Sequence, residues 1–286
     1  MMAGFAREVS WSSAPAPECL SDWREQAAYA HLATSGPTAF AWEWLRRSRG
    51  YRLSFDASVG AAGTDRLVPP FVWGVCAYVD PDLDDELAAP MWHSSIYPGV
   101  LRIDFTFGPD DELVDLAHLV GGPLTILPGP GGIEHCLFMK AGALLRFDLS
   151  GGSVLRGPFV PRFNLVGRSA ARWLPLVEKF LEIARTGKAP PTTSPRHWAR
   201  RRILELRARD ALACGATHRD LAAVLVDEDA LDPSWRVGLA SVRSKAQRLA
   251  KAAMQMEAGG WTALLAGRPL SGLGKVHSRR SQTGGS

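Results

Sequence analysis

Asp232 to Met256, DPSWRVGLASVRSKAQRLAKAAMQM, is the stretch on which the fold turns. Asp232 can cap a helix, and Pro233 fits its first turn because that turn's N–H groups lack intrahelical partners anyway. Trp235, Leu239, Val242, Ala246, Leu249, Ala253 and Met256 then recur at alternating spacings of four and three, the signature of one buried helical side. Off that stripe stand Arg236, Ser241, Arg243, Ser244, Lys245, Gln247, Arg248 and Lys251. No carboxylate lies between Asp232 and Glu257. A solvated helix ordinarily mixes signs to gain i,i+4 pairs, so an all-basic face points to a polyanionic partner. Arg and Lys neutralise phosphate, Arg reads guanine and Gln reads adenine, and a helix of this width enters the major groove. The same stripe could mark a two-stranded coiled coil, although its alanines make a weak seam.

Two helices are expected upstream. Pro195 starts RHWARRRILELRARDALACG, and Gly215 can take the left-handed conformation that ends it. In THRDLAAVL, Thr217 and Asp220 form a capping pair, and Leu221, Val224 and Leu225 supply an apolar face. His218 and Arg219 stand at the start of this second helix, where they could hold phosphate together with its N–H groups. The connection VDEDALD (226–232) is longer and more acidic than an ordinary helix-turn-helix turn, so the expected unit is a variant. Charge supports the assignment. Residues 1–195 carry 17 Lys+Arg against 21 Asp+Glu, whereas residues 196–286 carry 16 against 8. The positive excess sits wholly in the last third, an electrostatic footprint for a polyanion, with a basic solvated face as the alternative.

The rest of the chain has 46% hydrophobic and 22% charged residues overall, which describes a globular protein. SDWREQAAYAHL reads as a helix capped by Ser21 or Asp22, with Trp23, Ala27, Ala30 and Tyr29 on its apolar side. TAFAWEWLRRSRGYR follows, with Thr38 as cap and Gly50 as stop. Its tryptophans fit core packing. A second reading makes Trp42 and Trp44, rimmed by Arg46 and Arg47, a surface for RNA polymerase or another protein partner. Strands are expected from FVWGVCAYV (71–79), VLRIDFTF (100–107), PLTILP, HCLFMK and ALLRFDL, forming a small antiparallel meander with GPGG (129–132) as a hairpin connection. DPDLDDEL (80–87) reads as an acidic solvated loop, and RSAARWLPLVEKFLEIARTG (168–187) as an amphipathic helix. The fold class is α+β. Its expected parts are a tryptophan-rich helical module (20–52), a β-rich middle closed by a helix (53–187), a linker KAPPTTSP (188–195), a helix-turn-helix-variant domain (196–266) and a basic tail (267–286).

Several functions find no support. His93, His118 and His135 are isolated, and the chain contains no nucleophile elbow, P-loop or HExxH, so no enzyme, cofactor or metal is expected. Cys19, Cys76, Cys136 and Cys214 lie far apart and read as reduced, buried thiols. No apolar run reaches membrane-spanning length and MMAGFAREVSW lacks a secretory pattern, so a cytoplasmic, nucleoid-associated protein is expected.

GATHRDLAAVL and DPSWRVGLASVRSKAQRLAKAAMQMEAGGWTALL together resemble the C-terminal helix-turn-helix-variant domain of regulators of proteobacterial integrative and conjugative elements. The long basic helix followed by MxxGGWxxLL is distinctive. DWREQAAYAHL…AWEWLRRSRGYR resembles a second, transcriptional-regulator-like module of such proteins, and WGVCAYVDPDL…PMWHSSIYPGVLRI resembles the segment that joins the two. A chain carrying both modules is similar to the frameshifted excision activators of symbiosis-island elements. The resemblance implies an activator that binds promoter DNA of excision and transfer genes, and a small antiactivator partner with a related C-terminal domain. It also permits a protein-interaction regulator, an antiactivator or anchor that never contacts DNA.

Overall fold

The computed structural model describes residues 21–60, 68–109, 113–116, 124–140, 143–165, 170–186, 196–226 and 240–267. The fold is α+β, with helices before and after a five-stranded sheet among the described residues. The expected linker, Arg236, His118 and the basic tail beyond Gly267 lie outside the described residues.

A 3-10 helix, Gln26–Thr34, opens the described chain in place of the expected α-helix. Its geometry explains which residues face inward. With three residues per turn, Tyr29 and Leu32 share one side and are buried, while Ala27 and Ala30 turn out to solvent. Helix α1, Pro37–Arg46, is preceded by Gly36 and begins on proline, so Thr38 is not its cap. Gly50 does not stop the helical module either, because it lies in the first turn of α2, Arg49–Gly60.

The run 71–79 is not a strand. Pro69 and Pro70 lack the N–H groups a ladder needs, and Pro70–Trp73 forms a 3-10 turn that leaves Phe71 and Val72 exposed. Gly74 then adopts φ 76° with its missing Cβ occupied by Ile96, so only glycine fits there. A single bridge, Val75 to Trp92, is the only pairing left of the expected strand. The acidic stretch docks onto the helices: Trp42 Nε1 donates to Leu83 O at 3.0 Å, and Arg52 pairs with Asp82. A short helix α3, Asp85–Ala88, capped by Asp84, follows.

Strands β1 (Val100–Thr106), β2 (Leu124–Pro128), β3 (Glu134–Lys140), β4 (Ala143–Ser150) and β5 (Val160–Arg162) form one sheet in the order β2-β3-β4-β1-β5. The hairpins β2-β3-β4 are antiparallel, as their short turns demand. The sheet is nonetheless mixed, because β1 runs parallel to β4. Residues 107–123 supply enough chain to carry β2 to the far edge before the meander returns, as a parallel pair requires. Alternation sends Leu101, Ile103, Leu145, Phe147 and Leu149 to one face, where Val177, Phe180 and Ile183 of α4 (Ala170–Thr186) cover them.

Helices α5 (Arg196–Ala213), α6 (His218–Leu225) and α7 (Ala240–Gln255) form the C-terminal unit, and α7 packs on both of the others. Gly215 (φ 78°) ends α5, and Ala216 N closes back on Ala211 O at 2.9 Å. Thr217 and Asp220 form the capping box expected of them. Leu221 is buried as expected, but Val224 is turned outward and Ala222 and Ala223 fill the interior instead. Cys214 is exposed and disulfide-bonded, so the expectation of reduced, buried thiols fails there.

The segment after α7 turns sharply at Gly259 (φ 101°) and leads into α8, Thr262–Ala266. Gly260 fills a different requirement: a Cβ there would lie 2.6 Å from Gln255 O, a backbone atom that cannot step aside. Gly260→Ala should therefore lower stability by about 1–3 kcal/mol, the usual cost of forced overpacking. A urea midpoint equal to wild type would show the turn to be more compliant than this.

Candidate DNA-binding surface

The buried side of α7 is rich in alanine and continues onto Met256 just beyond it. Val242, Ala246, Ala250, Ala253 and Met256 face the core, with Leu249 partly covered, so the helix lies close against α5 and α6. That close approach leaves Ser241, Ser244, Lys245, Gln247, Arg248 and Lys251 exposed on the other side, with no carboxylate on the helix. Arg243 is half-buried at the boundary between the two sides. At the start of α6, His218 is exposed and Arg219 half-buried, beside backbone N–H groups that Thr217 only partly satisfies. The surface thus presents mobile cations and amide and hydroxyl donors on a rigid helix, which suits phosphate contact and base-edge reading.

The four N-terminal residues proposed for a partner surface take a different role. Trp42 and Trp44 are buried in the core, and Arg46 and Arg47 are buried with them, so none forms an exposed interface. Their chemistry is turned inward to join the two helical ends of the chain. Phe40 packs edge-on against Trp198 of α5 at 5.2 Å, and Trp92 meets Trp261 at 6.0 Å.

At the centre of this joint lies a network of buried charges. Arg47 Nε donates to Asp210 Oδ1 at 3.0 Å, and its Nη1 reaches Glu43 on the preceding turn of α1. Tyr29 Oη donates to Asp210 Oδ2 at 2.7 Å. Arg209 Nη2 donates to Arg47 O at 2.7 Å and lies 3.1 Å from Glu257 Oε1. Arg207 donates to the backbone oxygens of Trp23 and Arg24. Burial alone would raise the Glu43 carboxyl, but the His31 imidazole and the Arg47 and Arg46 charges outweigh it and hold the group at about 2. The same contact with Glu43 raises His31. Burial and the adjacent Asp210 carboxylate raise the Tyr29 hydroxyl, which stays protonated as a donor.

This network was not legible in the sequence, which showed Arg207 and Arg209 only as part of a basic excess. Both are buried and consumed by structure, so the polyanion-facing charge is smaller than the raw count. Among the described residues of the C-terminal unit, Lys245, Arg248 and Lys251 of α7 and Arg200 of α5 are exposed cations. His135 belongs to β3, with His93 6.1 Å away, and its Nδ1 lies 2.7 Å from Asp148 Oδ1.

The all-helical unit, with its alanine-packed, carboxylate-free outer helix, falls in the class of DNA-binding domains. Known families agree with that class. Residues 168–266 match a T6SS transcription factor DNA-binding domain. Residues 22–75 match a proteobacterial transcriptional regulator-like domain. The chain thus carries a regulator-like module and a DNA-binding domain, the composition of a transcription regulator. The second match begins at α4, so the family unit includes the helix that covers the sheet. No curated protein matches this chain. Among the described residues no helix is long and apolar enough to cross a membrane.

Proposed function

We propose that the protein is a transcriptional activator that reads promoter DNA with the exposed face of α7 and drives excision and transfer genes of an integrative and conjugative element. The observation that carries this reading is the cationic, carboxylate-free side of α7, set on a core of alanines that fixes the helix rigidly. Lys245 and Arg248 bind phosphate, Gln247 and Ser244 face base edges, and Ser241 and Arg243 extend the same face, with Arg236, outside the described residues, as a further DNA contact. His218 and Arg219 clamp an adjoining phosphate at the α6 N-terminus. The activator role, the element context and a small antiactivator partner are supported by the resemblance of both modules to regulators of such elements. Contact with RNA polymerase belongs to an exposed surface other than Trp42 and Trp44. The protein acts by binding, without catalysis, in the cytoplasm at the nucleoid.

Footprinting on the element's regulatory regions at two salt concentrations tests this. Lys245→Ala and Arg248→Ala should each reduce the slope of log K against log salt by about one. Gln247→Ala should instead relax preference at one base pair by about 1–3 kcal/mol. Footprints unchanged in all three variants would remove α7 from the interface. Absence of any salt-sensitive binding would move the reading to a protein-interaction regulator.

A further inference from the structure

Opposite the face covered by α4, the sheet carries a second, polar face, and its register lays charged groups in rows. Arg102 of β1 is paired across to Asp148 of β4, and Asp148 to His135 of β3. In the next row Asp104 lies opposite Ser150. These five side chains line a cavity of about 630 Å³, within the range of small-molecule sites. We propose that this cavity binds a small zwitterion, an α-amino acid or a compound of the same charge pattern.

Arg102 and Asp104 are exposed, as on a solvated sheet face, but the residues paired beside them are not. Here His135 and Asp148 are buried as an ion pair 2.7 Å long at the cavity wall, with side chains 8% and 12% exposed. Burying two charges is costly, and a concave polar wall is where binding sites place them. The Asp148 carboxylate, with the Cys76 thiol, pushes His135 up to about 10, so the pair is ionic at neutral pH. Asp148 is thereby satisfied and leaves Arg102 without an ion pair, although the two are register neighbours. Arg102 and Asp104 share one face of β1, two residues and so about 7 Å apart, yet do not pair with each other. Asp104 accepts only from Ser150 Oγ.

An unpaired guanidinium and an acceptor-rich carboxylate held apart on a rigid strand match a ligand with a carboxylate at one end and an ammonium at the other. Two cations and two anions around the cavity sum to zero, which disfavours a polyanion such as a nucleotide. Trp173 and Ile133 give the cavity an apolar wall for a side chain. Among the described residues no three His, Cys, Asp or Glu groups converge as metal ligands. His93 also lines the cavity, and its neighbour Trp92 rests on Trp261, so the cavity wall is continuous with the core of the DNA-binding unit.

The test needs no DNA and is therefore independent of the function proposed above. The full chain is titrated, by thermal shift and calorimetry, with each common α-amino acid and with inorganic phosphate. The binder's decarboxylated amine and deaminated acid are then compared with it. At least one amino acid should bind and raise Tm, and both one-charge analogues should bind about tenfold or more weakly. Arg102→Ala and Asp104→Asn should each weaken binding by about tenfold or more. Both positions are exposed, so the variants keep the wild-type Tm without ligand. The proposal fails if no amino acid binds, if neither variant changes the affinity, or if phosphate competes as well as the amino acid.

Discussion

Asp210→Ala should destabilise the protein by about 3–5 kcal/mol, the cost of stripping one partner from a buried ionic group. Asp210 is fully buried and holds three groups from different parts of the chain: Tyr29 from the 3-10 helix, Arg47 from the end of α1, and its own neighbour Arg209. Alanine leaves two guanidinium groups crowded in a low-dielectric core and a phenol hydroxyl without its acceptor. A loss of this size consumes a large fraction of the 5–15 kcal/mol that holds a typical domain folded. Urea unfolding followed by tryptophan fluorescence reads it directly, and Asp210→Asn should recover part of the loss because one oxygen still accepts. A midpoint for Asp210→Ala within about 1 kcal/mol of wild type would show that the apolar contacts alone join the two ends.

The second large effect depends on pH. Glu43 is held at about 2 in the folded chain against an ordinary 4.5. The unfolded chain therefore takes up a proton that the folded chain refuses as pH falls below 4.5. The stabilisation is complete above that value and disappears progressively between pH 4.5 and pH 2, about 3 kcal/mol in all. His31 has the opposite sign. Its raised value means that its contribution is present at low pH and is lost as pH rises past its folded pKa. Because the two groups share one contact, their contributions are not additive. Glu43→Gln will lower stability at every pH, since Arg46 and Arg47 lose a counter-charge. The diagnostic is the slope: stability of wild type minus variant, measured by urea midpoint, should shrink as pH falls from 4.5. A difference constant across that window would remove Glu43 from the acid limb.

Local chemistry made much of the C-terminal unit readable. Gly215, the Thr217–Asp220 pair and the spaced apolar positions of α7 each act within a few residues, so the sequence displays them. The hairpins of the sheet were legible for the same reason, through GPGG and short turns. Hydropathy failed at 71–79, where an apolar run suggested a strand but the prolines before it removed the donors a strand needs. The parallel pairing of β1 with β4 is set by a long connection, which leaves no local mark. The candidate surface on α7 could be described from spacing. The fate of Arg207 and Arg209 could not, because the N-terminal backbone oxygens that accept from them lie more than 150 residues away. Core packing of Trp42 and Trp44 was legible in the sequence, whereas Arg47, read as part of an exposed rim, is buried against Asp210, 163 residues away.

That long-range joint has a consequence for synthesis. A ribosome makes the tryptophan-rich helices first, when Trp198, Leu206, Asp210, Trp261 and Leu264 do not yet exist. Until then Phe40 and Arg47 have neither an apolar surface nor a counter-charge beyond their own helix. The tryptophan-rich helices are thus made well before the helices that stabilise them, and stay sticky until those emerge. A ribosome that stops short of the last helix would release a regulator module with an open aromatic face, a substrate for proteolysis and not a smaller working protein.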